Sequence, residues 1–178
     1  MKNLKISLFT LILVAALGLI VVYESVNAED LIPWKGDRVI GSQAADFTIK
    51  DLKGNDVTLS SFKGKPVLLN IWATWCPYCR KERAELNELY KEYNGKGLVI
   101  ISVANDRSIE KVKQYIKNNP ASYMVLSDED SIVTDAYSVY GLPTNFLIDR
   151  NGIIKNKFSG FRSWTDPESK KLLEEFIK

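Results

Sequence analysis

Two nearly continuous apolar runs of strand length, residues 67–73 (VLLNIWA) and 98–104 (LVIISVA), constrain this chain more than any other feature. A strand with one wet face alternates apolar and polar side chains, whereas a strand apolar throughout is covered on both faces, as in a parallel sheet flanked by helices. The stretch between the runs supplies such a helix. Pro77 sits just inside its start, and Leu86, Leu89, Tyr90 and Tyr93 recur at helical spacing until Asn94 and Gly95 end it.

The same signals extend along the chain. Residues 47–52 and 56–59 alternate around Lys53, Gly54 and Asn55, which is hairpin chemistry. A second helix is expected over 108–118, with Val112, Tyr115 and Ile116 inward, then a strand over 123–126 and a third helix over 131–140. Strands over 145–149 and 153–158 flank Arg150, Asn151 and Gly152, a second hairpin signal, and a last helix opens with Asp166 as N-cap and Pro167 in its first position. The order is hairpin, three βα units, two strands and a helix. It predicts an α/β three-layer domain: a central mixed sheet with helices on both faces, one antiparallel edge and an N-terminal hairpin extension. With 46% hydrophobic residues the chain has material for one such core.

The first 28 residues read differently. Lys2 and Lys5 precede a 17-residue, nearly continuous apolar run over 6–22, and Val26 and Ala28 are small residues suited to cleavage after Ala28. The run is longer than an ordinary signal core and just reaches the length of a membrane-spanning helix, so both a cleaved signal and a retained anchor fit. Either way the positive flank stays in the cytoplasm and the rest is delivered outside it. No cysteine stands near the segment, which excludes a lipoprotein anchor. Residues 29–40 (EDLIPWKGDRVI) have no clear period and read as a tether, leaving 41–178 as the domain.

Composition closes several chemistries. The chain has no histidine, so Ser-His-Asp and Cys-His catalysis and the common zinc sites are out of reach. Setting aside Lys2, Lys5 and Glu24 leaves 22 basic and 21 acidic residues in the exported part, and no basic run suggests nucleic acid. Both cysteines lie in Trp75-Cys76-Pro77-Tyr78-Cys79, directly after a buried strand and at a helix start. A helix N-terminus stabilises a thiolate, which marks Cys76 as the nucleophile. Cys79, one turn further in, would be the resolving thiol. Two blander readings compete. Half a metal site lacks further Cys or His partners, and an inert disulfide would stabilise little, because the entropic gain grows with loop length.

The stretch WATWCPYCRKE, together with YGLPTNFLIDRNG and the lead-in DF…LSSFKGK…VLLN, resembles the thioredoxin superfamily, and within it the TlpA/ResA-like extracytoplasmic thiol-disulfide oxidoreductases. The likeness runs from about Gly41 to Lys178. It implies a cis peptide bond before Pro143, opposite the CxxC, with Leu142 meeting a substrate strand through its backbone. On the residues alone, a trans turn proline ending the third helix is the simpler reading. The resemblance also implies that Trp75, Pro77 and Tyr78 form the surface against which substrate docks. Thioredoxin's buried aspartate, six residues before the first cysteine, is replaced here by Asn70. ResA-like members instead carry a glutamate three residues after the second cysteine, here Glu82, expected to be half-buried and to move a proton to or from Cys79.

Two departures stand out. Pro77-Tyr78 is the dipeptide of glutaredoxins rather than of thioredoxin or ResA, and bears on the direction of electron transfer. Arg83-Ala84 stands where relatives commonly have a proline, so a straighter helix is expected. The implied function is exchange of the Cys76–Cys79 dithiol with exported protein thiols and disulfides, as a reductant fed by a membrane thiol donor, with apocytochrome c as the first-named substrate. It needs no cofactor or metal, and nothing argues against a monomer. The rival readings are an oxidant in folding of exported proteins, a peroxiredoxin-like peroxidase, and a non-enzymatic binding module with a structural disulfide. The peroxidase reading fails on spacing, since Ala73 stands where a Thr or Ser is required three residues before the cysteine.

Overall fold

A computed structural model describes residues 39–178 of the protein. The expected leader of residues 1–28 and most of the expected tether lie outside the described residues. The strands are β1 (Thr48–Asp51), β2 (Asp56–Thr58), β3 (Val67–Trp72), β4 (Val99–Ala104), β5 (Met124–Ser127), β6 (Thr144–Ile148) and β7 (Ile154–Ser159). The helices are α1 (Pro77–Tyr93), α2 (Ile109–Asn118), α3 (Ile132–Ala136) and α4 (Pro167–Phe176). Short 3-10 turns occupy Leu59–Phe62 and Asn94–Lys96.

One seven-stranded sheet runs β2-β1-β5-β4-β3-β6-β7. The β3–β4 and β4–β5 pairs are parallel, as the apolar runs require, and β3–β6 and β6–β7 are antiparallel. The expectation of one antiparallel edge is incomplete. The β1–β2 hairpin also joins the sheet, pairing Lys50 with Ser127 and Asp51 with Leu126 of β5. Without it, β5 would present an unpaired row of N–H and C=O groups at the end of the parallel core, and the hairpin covers that edge.

All six residues of β3 are buried, and their alternation divides the core into two layers. Leu68 and Trp72 face the layer that holds Leu86, Leu89 and Tyr93 of α1 and Leu173 of α4. Val67, Leu69 and Ile71 face the layer of Phe47, Val133, Tyr137 and Phe146. Asn70 lies in register with Leu68 and Trp72, so a polar side chain is set into the α1 side of the core.

The third helix is shorter than expected, five residues rather than ten. Asp128 starts it, accepting from the backbone of Val133 and Thr134 and from the Thr134 hydroxyl. It stops because Tyr137 is drawn into the core, its hydroxyl donating to the Ala45 carbonyl at 2.8 Å, while Ser138 adopts a left-handed φ of 47°. The expected second hairpin forms, with Asp149 Oδ1 accepting from Asn151 and Ile153 and Gly152 at φ 83°.

Candidate active site

Cys76 is the N-cap of α1, with an extended backbone (φ −84°, ψ 114°), and Pro77 follows in the first turn, where its missing N–H is no loss. The Cys79 N–H donates to Cys76 Sγ at 3.2 Å, so the sulfur occupies the place of a capping oxygen and meets the positive end of the helix. The two cysteines form a disulfide with their Cα atoms 5.3 Å apart. Both sulfurs sit in the core layer beneath α1, while the neighbouring rings of Trp75 and Tyr78 are 66% and 65% exposed. Pro77 is exposed beside them.

The loop that delivers Cys76 is tied down by the residues that follow β4. Thr74 donates through its backbone N–H to Asp106 Oδ2 at 2.9 Å and through its hydroxyl to Oδ1 at 2.6 Å, and Asn105 N donates to the Trp72 carbonyl. Sequence reasoning missed Asp106, which carries no motif of its own.

The Leu142–Pro143 peptide bond is cis. Register explains where it lies: Thr144, the first residue of β6, pairs with Ile71 of β3, so the 141–143 turn stands beside the strand end that runs into Cys76. Pro143 is buried and its carbonyl accepts from Gly160 N at 2.8 Å. Neither backbone group of Leu142 takes part in a hydrogen bond among the described residues. Tyr140, 83% exposed, stands two residues before Leu142, and sequence reasoning assigned it no part in the site.

Glu82 differs from its expectation. Rather than half-buried, its side chain is fully enclosed, at 0% exposure. Its Oε1 accepts from Asn145 Nδ2 at 3.0 Å, Arg162 N at 3.1 Å and Trp164 Nε1 at 3.2 Å, and Oε2 accepts from Asn70 Nδ2 at 3.2 Å. The enclosing segment 161–164 lies about eighty residues downstream, beyond the reach of local pattern. Burial pushes the Glu82 carboxyl up from 4.5 to about 7, against the pull of the hydrogen bonds and with a further push from nearby Glu85. Asn70, noted in the sequence only as a missing base, is part of this carboxylate's shell. The one legible signal for Asn70 was an amide inside an otherwise apolar strand.

Helix α1 runs unbroken for 17 residues. Arg83, which with Ala84 stands where relatives commonly have a proline, is buried with its guanidinium 4.1 Å from the Trp72 ring. Among the described residues no group of three His, Cys, Asp or Glu could hold a metal ion, and no helix is long and apolar enough to cross a membrane.

The AhpC/TSA family matches residues 40–157. The thiol-disulfide oxidoreductase ResA of Bacillus thuringiensis subsp. konkukian is 38% identical over 139 residues, which cover 78% of this chain and 77% of that protein. ResA of Bacillus subtilis is 36% identical over 150 residues, 84% of this chain and 80% of that one. The thioredoxin domain of a thiol-disulfide oxidoreductase from Bacteroides vulgatus superposes with a TM-score of 0.68 at 32% identity, covering 78% of this chain and 98% of that one.

Proposed function

Because this chain belongs to the AhpC/TSA family and is a thiol-disulfide oxidoreductase of the thioredoxin-like fold, we propose that it works outside the cytoplasm as a reductant of protein disulfides. The observation that carries the reading is the placement of Cys76: an N-cap sulfur accepting the Cys79 N–H, flanked by exposed Trp75 and Tyr78.

In the dithiol form the Cys76 thiolate, stabilised by that N–H and the helix end, attacks one sulfur of a substrate disulfide. The substrate S–S bond breaks, a Cys76–substrate disulfide forms, and the first substrate thiolate leaves. Cys79 then loses its proton and attacks Cys76 Sγ, forming the Cys76–Cys79 bond and releasing the second substrate thiolate. Two electrons have moved from the protein dithiol to the substrate, and the chain is left in the disulfide form seen here. Glu82, three residues beyond Cys79 on the same helical face, takes the Cys79 proton, and a carboxyl near neutrality suits that transfer. No cofactor beyond the cysteine pair enters the cycle.

Substrate docks on the shoulder formed by Trp75, Pro77 and Tyr78, while the free backbone groups of Leu142, held by cis-Pro143, pair with an extended substrate strand. The likeness to ResA-type proteins supports apocytochrome c as the substrate, a membrane thiol protein as the electron donor, and action as a monomer. The leader pattern of Lys2, Lys5 and the apolar run supports the location.

The reduction potential of the purified chain tests the direction, with the Cys76–Cys79 state trapped and weighed after equilibration in graded thiol/disulfide buffers. A value near or below about −270 mV is expected. A value towards about −120 mV would make the protein an oxidant of folding chains, the direction that Pro77-Tyr78 leaves open.

A further inference from the structure

Three neighbouring strands each place a polar side chain at the same level of the sheet. Register pairs Asn70 of β3 with Ser102 of β4 on one side and with Asn145 of β6 on the other. All three side chains are buried and linked: Ser102 Oγ donates to Asn70 Oδ1 at 3.0 Å, and Asn70 Nδ2 donates to Asn145 Oδ1 at 2.9 Å. Both amides also turn an N–H onto Glu82, Asn70 to Oε2 and Asn145 to Oε1. Resting on the role given above to Glu82, we propose that Asn70, Asn145 and Ser102 form a relay of positioning residues that holds the Glu82 carboxylate ionised and aimed along α1.

Hydrogen-bond capacity decides the polarity of this relay. Asn70 Nδ2 has two hydrogens, and both are used, one on Glu82 and one on Asn145. Its Oδ1 is occupied by the Ser102 hydroxyl, so the amide cannot rotate without facing the Asn145 oxygen with its own. A proton on Glu82 Oε2 would weaken the bond from Asn70 Nδ2, because a neutral carboxyl oxygen is a poorer acceptor than a carboxylate oxygen. A proton on Oε1 would meet three donors at once. The row therefore favours the ionised form of Glu82, and it opposes the burial that favours the neutral acid. The chain connects these groups to the chemistry. Asn70 lies six residues before Cys76 on the strand that delivers it, Asn145 lies two residues after cis-Pro143, and Glu82 lies one turn beyond Cys79. The strand row thus fulfils, with neutral amides, the task of setting a carboxylate's charge beneath the dithiol.

Other titratable or charged groups around Glu82 remain the same in the variants that test this. Glu85 follows it on α1, Tyr123 precedes β5, and the Arg162 guanidinium stacks 4.3 Å from the Phe158 ring while its backbone N–H serves Glu82. Arg83 is directed at Trp72 and Tyr123, and Cys79 precedes Glu82 by one turn.

The test uses the full chain with Asn145→Ala and Asn70→Ala substitutions. The reduced protein is mixed rapidly with an aromatic disulfide that releases a coloured thiol at each step, so resolution by Cys79 is read as the second release across pH. Losing one donor to a charged acceptor is expected to move the midpoint of the resolution rate up by about one pH unit. Ser102→Ala, which only unpins the Asn70 amide, should move it less. Should the alanine variants fail to fold, Asn70→Asp keeps the volume and sets a second carboxyl against Glu82, which should move the upper midpoint higher still. A slower rate with an unmoved midpoint would overturn the proposal and leave these residues as packing. A carbon-13 titration of the Glu82 carboxyl separates this from the role of Glu82 itself: if Glu82→Gln leaves resolution unchanged, Glu82 is not the base, yet the carboxyl midpoint must still rise in Asn145→Ala.

Discussion

Replacing Glu82 by Gln should change how the fold's stability depends on pH, by an amount that follows from the enclosure of the carboxylate. The Glu82 carboxyl is raised from 4.5 to about 7 by burial, so between those values the folded chain keeps a proton that the unfolded chain has released. Stability then falls as pH rises, because the folded state binds more protons. The contribution is fully present below the unfolded value and lost as pH passes through the folded one. A difference of about 2.5 pH units, at about 1.36 kcal/mol each, amounts to about 3.4 kcal/mol. Glu82→Gln holds no titrating proton, so the wild-type minus variant difference isolates this group while the others cancel. Urea unfolding of the disulfide form, followed by far-ultraviolet dichroism at steps from about pH 4.5 to about pH 8.5, should show that difference falling by about 3 kcal/mol, with equal denaturant slopes. A flat difference would show that Glu82 is not buried against its charge. A difference that rises with pH would mean that the four donors outweigh burial and that the carboxyl is depressed.

Other outcomes are more direct. Cys79→Ala should stall after the first attack, leaving a Cys76–substrate disulfide that persists and is detected by mass, because the resolving sulfur is gone. Trp75→Ala should raise KM for a protein disulfide several-fold and leave the rate with a small aromatic disulfide almost unchanged, since the exposed ring offers surface rather than chemistry. Leu86→Ala, at a fully buried position between α1 and the sheet, should lower unfolding free energy by about 2–5 kcal/mol in urea titrations, without moving the reduction potential of the pair.

Much of this protein was legible as a string of residues. The apolar runs around Leu68 and Ile101 specify buried parallel strands because only a sheet covered on both faces tolerates them. Pro77 and Asp166 announce helix starts through local geometry, and Asn151 with Gly152 announces a turn. The cysteine pair follows from the same local logic, since a helix N-terminus and a spacing of three place two sulfurs together. Signals of this kind concern residues a few positions apart, where backbone sterics and hydrogen-bond reach decide the outcome before any tertiary contact forms.

What the chain does over distance was settled by packing. Local pattern could end neither α3 nor the sheet: Tyr137 leaves the helix to reach Ala45, ninety-two residues away, and the N-terminal hairpin chooses the β5 edge. The same holds at the site. Glu82 was visible as a carboxylate one turn past Cys79, but its environment is assembled from β3, β6 and the segment after β7. Charge on a carboxyl depends on water excluded and donors supplied, and both come from residues that only the folded sheet brings within about 3 Å of it.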